Sequence, residues 1–140
     1  MGKPIDFIHG VVPGLNPAVG MHIQGFLRKL KPGIAWLRHN WGLSRSPEFN
    51  QHPTRSLPRL TSDLASNEVY LRIEHQALVA LPPNGVLFGI RITVHPLSEV
   101  LAEPAAAAGL ARALRTMTEA MAQYKGLAVA RVRLLAMLEG

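Results

Sequence analysis

Between Tyr70 and Leu97 the chain reads YLRIEHQALVALPPNGVLFGIRITVHPL, two runs of alternating side chains joined by a Pro-Asn-Gly turn. A period of two marks a half-buried strand, because successive side chains leave a strand on opposite sides. A strand pair of this kind commits the rest of the chain to cover its apolar side. In the first run Tyr70, Arg72, Glu74 and Gln76 share one side. In the second, Gly89, Arg91, Thr93 and His95 share one side, and Phe88, Ile90, Ile92 and Val94 the other. If the two polar rows coincide, they make a surface that holds a charged or polar ligand above a dry core. The plainer alternative is a half-solvated antiparallel sheet. In that case Glu74 and Arg91 form a cross-strand ion pair worth under about 1 kcal/mol when exposed.

The flanks predict the cover. Asn16 and Pro17 are a cap followed by proline at the first helical position. Val19, Ile23, Phe26, Leu27 and Leu30 then recur at helical spacing until Lys31-Pro32-Gly33 stops the run. Ala35 to Leu43 reads as a strand whose tryptophans, Trp36 and Trp41, have opposite parity and so face opposite ways. Residues 44–66 are rich in Ser, Pro and Arg and read as loop. After Pro96 helical periodicity returns, with Leu110, Leu114, Met117, Met121 and Tyr124 in one stripe. Gly126 breaks it, and Leu127, Ala130, Leu134 and Leu138 carry a last helix. The expected fold class is α+β, an antiparallel sheet flanked by helices, built as a single domain over residues 1–140.

Composition narrows the function. Hydrophobic residues make up 48% and charged residues 17%, which excludes a disordered chain. No apolar run is long enough to span a bilayer, and the opening MGKPIDFIHG lacks the pattern of a signal peptide. The expectation is a cytoplasmic protein without a membrane partner. The net charge of +6 favours anionic partners, but the cations are scattered with few aromatics between them, so nucleic acid is not expected. There is no cysteine, so disulfides, thiolate ligation of haem and an iron–sulfur cluster on this chain are excluded. Glycine-rich phosphate loops, zinc-protease spacings and nucleophile elbows are also absent from the sequence.

Five collinear blocks carry a resemblance. They are IHGVVPG at Ile8–Gly14, LRHNWGL at Leu37–Leu43, YLRIEHQALVALP at Tyr70–Pro82, VLFGIRITVHPL at Val86–Leu97 and YKGL at Tyr124–Leu127. In these the chain resembles the haem-binding alpha subunit of the haem-dependent oxidative N-demethylases, and corresponds to the C-terminal half of the longer members. The resemblance implies a PAS-like sheet that holds a cofactor against helices. Its opening strands would lie upstream, leaving an edge able to pair with another copy of the chain. It also implies b-type haem, a small secondary amine substrate such as dimethylamine, and a reductase partner. That partner would deliver electrons from NADPH through FMN and a 2Fe-2S centre, with tetrahydrofolate as one-carbon acceptor on a partner subunit. The chain departs from the family at Val11, commonly proline, and at His75, commonly arginine.

On this reading His9 is the candidate axial ligand to the iron, with His22 as the backup. Glu74 and Arg72 are the candidate catalytic residues: a carboxylate to receive a protonated amine, and a guanidinium to polarise or pair. Gln76 and Arg91 are candidate cofactor-binding residues. His75 falls opposite Glu74 and is expected to be a satisfied buried histidine, and Trp41 is expected to pack in the core. A rival reading is a non-catalytic PAS-like module that senses a ligand or docks a partner. A third is a truncated family fragment.

Overall fold

The computed structural model describes residues 22–23, 25–83 and 85–140. Three strands, β1 (Ala35–Ser44), β2 (Tyr70–Leu81) and β3 (Gly85–Pro96), form one antiparallel sheet in the order β1-β2-β3. Four helices follow: α1 (Leu97–Leu101), α2 (Pro104–Thr116), α3 (Glu119–Tyr124) and α4 (Arg131–Glu139). The α+β expectation holds. Contacts divide the chain into two compact units, one from Met1–Arg38 and Gln76–Ile90, the other from His39–His75 and Arg91–Gly140.

The second unit contains a continuous apolar core. Leu97, Leu110, Leu114, Leu127, Ala130, Leu134 and Leu138 come from the helical region, while Leu43 and Val69 come from the strands or their ends. Trp41 and Leu71 pack against this cluster from β1 and β2, as expected for Trp41. Long loop 45–69 has two short 3-10 turns, at Pro53–Arg55 and Ser66–Glu68. It is not mere connection: Leu60 and Leu64 from its middle are buried in the core. Arg133 Nε donates to the Leu64 carbonyl at 2.9 Å and so fastens the loop to α4.

The expected single stripe from Leu110 to Tyr124 is broken. Helix α2 ends at Thr116, where Met117 turns to extended backbone with ψ 131°, and Thr118 caps α3 by accepting from Met121 N–H at 3.3 Å. The open carbonyls at the end of α2 are satisfied from α4, because Arg131 Nη2 donates to Arg115 and Met117 carbonyls at 2.8 Å each. The break falls at Met117, an apolar position of the stripe, and past it Ala122 rather than Tyr124 is the buried residue.

In the first unit, residues 22–23 and 25–28 are helical, in agreement with the periodicity that ends at Leu30. Phe26 meets the Trp36 ring edge-on at 5.2 Å between centroids, 86° between planes. Trp36 is half exposed. Among the described residues no helix is long and apolar enough to cross a membrane.

An ion pair ties the two ends of the loop together: Arg45 binds Glu68, whose second oxygen accepts from Ala65 N–H at 3.0 Å. The Ala65 N–H, and then Arg45, hold the Glu68 carboxyl below its ordinary value of 4.5. A carboxylate depressed in the folded state adds stability above its unfolded pKa, and that stability is lost as pH falls through the lowered value. We expect Glu68→Gln to flatten the loss of stability as pH falls below the ordinary carboxyl value of 4.5. Urea denaturation across that range checks it, and an acid limb identical to wild type would remove Glu68 from the account.

Candidate functional site

Alternation along β2 places Arg72 and Glu74 on one side of the strand, and in the second unit they meet. Arg72 Nε lies 3.9 Å from Glu74 Oε1, with the two side chains 18% and 25% exposed. At that distance the gross attraction is about 4 kcal/mol at an effective dielectric of about 20. Desolvating each ion takes back several kcal/mol, so further hydrogen bonds are needed to hold the pair. They are present. Asn40 Nδ2 donates to Glu74 Oε2 at 3.3 Å, and Arg72 Nη1 donates to the Phe49 carbonyl of the long loop at 2.5 Å.

Lys125 completes the cluster from the far end of the chain. Its Nζ donates to Asn40 Oδ1 at 3.3 Å and to the Trp41 carbonyl at 2.6 Å, and lies 5.2 Å from the centre of the Trp41 ring. Burial lowers the Lys125 pKa, and the Glu74 carboxylate nearby works against that shift. One acid thus stands between two cations. The Trp41 carbonyl belongs to the set on edge strand β1 that points away from β2, because the even residues of β1 pair with β2 (Asn40 beside Glu74). A lysine laid on that edge both satisfies a carbonyl and discourages pairing with another strand.

Lys125 is aimed by a local motif. Past α3 the Leu127 N–H bonds to the Ala122 carbonyl at 2.8 Å and the Gly126 N–H to the Gln123 carbonyl at 3.0 Å, a Schellman ending. Gly126 takes φ +68° there. Leu127 and Ala122 are fully buried, so the ending is clamped from beneath and Lys125 is held at its cap. Sequence reasoning had left Lys125 without a role. The available signal was its membership of the YKGL block.

Arg91 is not part of this cluster. The Leu97 N–H bonds to the Val69 carbonyl at 2.8 Å, which sets residues 71, 73 and 75 opposite 95, 93 and 91. His75 Nε2 accordingly lies 3.3 Å from Thr93 Oγ1. The row Arg91, Thr93 and His95 therefore shares its side with His75, and the two polar rows do not coincide. The physical reason is the three-residue connection from Leu81 to Gly85, which pairs odd residues with odd. It equally rules out the Glu74–Arg91 ion pair. His75 is also not buried: it is exposed and stacks edge-on against His39 at 5.0 Å and 87°. His95 is paired with Glu99 at 2.9 Å.

In the first unit Gln76 is 5% exposed and accepts from Arg38 Nε at 2.5 Å. Arg38 also lies 5.8 Å from the centre of the Phe88 ring, beside an open cavity of about 300 Å³. Phe26, Leu27, Trp36, Leu78 and Phe88 make its walls. Apolar aromatic walls with one guanidinium suit the edge of a flat apolar cofactor that carries carboxylates. The described imidazole of this unit is His22, whose side chain is exposed. His9 lies outside the described residues. Among the described residues no three or more His, Asp or Glu side chains are grouped to hold a metal ion.

A family model for the haem-dependent oxidative N-demethylase, alpha subunit-like proteins matches residues 1–135. The chain belongs to that family.

We expect Gly126→Ala to destabilise the protein by about 1–2 kcal/mol, the ordinary penalty for a side chain in left-handed backbone. Equilibrium unfolding measures it, and a neutral substitution would mean that the ending relaxes without this φ.

Proposed function

We propose that this chain works as the haem-binding subunit of an oxidative N-demethylase acting on a small secondary amine such as dimethylamine. In this reading residues 1–140 serve as one domain in the cytoplasm. The observation that carries it is membership of the family over residues 1–135. Electrons would come from NADPH through FMN and a 2Fe-2S centre on a reductase subunit, since a chain without cysteine cannot itself ligate such a cluster through thiolates. Tetrahydrofolate would accept the one-carbon unit on a partner.

Bound haem b supplies the oxygen-activating and redox chemistry that no side chain can. His9 takes the role of axial ligand in this reading. The apolar walls of the first unit's cavity would hold the group, and Arg38, itself held by buried Gln76, would pair one of its carboxylates. Arg38 would serve here in place of Arg91, the candidate cofactor-binding arginine, which lies on the face opposite Glu74.

The amine arrives protonated, and stripping water from its charge without a partner costs several kcal/mol. The Glu74 carboxylate offsets that cost. Arg72 and Asn40 hold the carboxylate in a single orientation, so it is ready to receive an N–H. The same contacts favour a second reading. A carboxylate already held by a guanidinium and an amide can be a structural tie, which suits a non-catalytic PAS-like module that senses a ligand.

Two measurements separate these readings. Reconstitution with hemin should give a stoichiometric Soret shift, and His9→Ala should remove or shift the ferrous–CO band while His22→Ala and His95→Ala leave it intact. An unaltered spectrum in His9→Ala would overturn the ligand assignment. Glu74→Gln should keep haem but lose the spectral response to dimethylamine at least about tenfold, an energy of about 1.4 kcal/mol. A response that persists unchanged rejects the role of Glu74, and a wild type blind to amine favours the sensing module.

A further inference from the structure

The second unit carries a groove of about 640 Å³ between the long loop and the chain after α3. Its polar lining is cationic or neutral: Arg45, Arg59, Lys125 and His52 face it together with Tyr124 and Gln51, and no described Asp or Glu lines it. The acids around it lie outside the lining and are engaged: Glu68 by Arg45, Asp63 by Thr61 and Arg45, Glu48 by Arg55 at 2.7 Å, and Glu74 by Arg72 and Asn40. Arg45 is fixed in place by Glu68 and by Thr61 at 3.4 Å, so its guanidinium is a rigid part of the wall. Arg59 is exposed, and Lys125 gives hydrogen bonds to Asn40 and Trp41, which leaves one of its three ammonium protons for a ligand. Arg59, which no carboxylate in the lining answers, raises the local concentration of anions, and Lys125, whose Glu74 neighbour lies outside the groove, adds to it.

The loop wall is also strained. Ser56 takes φ 49°, a left-handed backbone that a residue with a side chain adopts at a penalty of about 1–2 kcal/mol. Such residues gather at ligand clamps, where the surrounding structure overrides the local preference. The rest of the groove is apolar, with Leu43, Leu57, Leu60 and Val129 beside the polar groups. Its volume is that of a site for a compact organic molecule rather than for a polymer, and no basic stripe leads out of it.

We propose that this groove binds a small organic anion with two or more oxyanion charges on an apolar body, held by Arg59, Lys125 and Arg45. The charged end lies among these three side chains and the body lies along the leucines. Phosphates and grouped carboxylates share this chemistry. The site makes no use of haem, so it is tested on the protein as purified, and its failure leaves the reading of Glu74 and His9 untouched.

The experiment is calorimetric titration of the full chain with ADP and, separately, with citrate, repeated on Arg59→Ala and Arg59→Lys. Trp41 fluorescence is followed in parallel, since Lys125 stands over that ring. Saturable binding of either probe, weakened at least about tenfold in Arg59→Ala and largely restored in Arg59→Lys, supports the proposal. The probe that binds distinguishes phosphate from carboxylate. Arg59 is exposed, so its variants keep the fold and the test does not depend on replacing Lys125. Non-saturable heats for both probes, or equal affinity in wild type and Arg59→Ala, would overturn it. So would binding of an oligoglutamate peptide without binding of either probe, an outcome that makes the groove a protein-docking surface.

Discussion

The backbone bond from Leu97 N–H to the Val69 carbonyl settles which side of the sheet each charged residue of the second unit occupies. Side chains on paired strands share a face only when they oppose one another, and a slip of one residue would move every one of them to the other side. With this register Arg72 and Glu74 look away from Arg91, Thr93 and His95. The charged cluster is then free to be closed by parts distant in sequence, and the opposite face of β2 is free to pack against helix α2. On that other side Trp41 and Leu71 are partly buried and pack against the apolar core.

The cluster shows how a small protein keeps charge near its interior. Arg72 and Glu74 are mostly buried, and such a pair is stable only when its remaining donors and acceptors are filled. Three separate elements contribute. The loop offers the Phe49 carbonyl, β1 offers Asn40, and the end of α3 offers Lys125. Removing any one member leaves the others with unanswered polarity, so the long loop and the Schellman ending at Gly126 are part of the same device as the strands.

Family membership places the chain among the haem-dependent oxidative N-demethylase, alpha subunit-like proteins, and its two units carry different features. An apolar cavity with Arg38 lies in one unit, and an oriented carboxylate lies in the other. The basic groove lined by Arg59 is neither of these. Its lack of acids and the strain at Ser56 set it apart as a site of its own.

Local interactions were legible from the residues. Period-two alternation marked β2 and β3, and the glycine at 126 marked a helix stop, because each depends on neighbours in sequence. The absence of cysteine likewise excluded whole classes of iron chemistry by itself. What tertiary structure decided was everything that depends on distance along the chain. The number of residues in the hairpin connection set the parity of the sheet and parted Arg91 from Glu74. Alternation within one strand carries no information about the next strand's phase. Lys125 meets Asn40 across 85 residues, and Leu60 and Leu64 turn a polar-looking loop into a wall of the core. Such contacts arise from packing one surface against another, which no local pattern encodes.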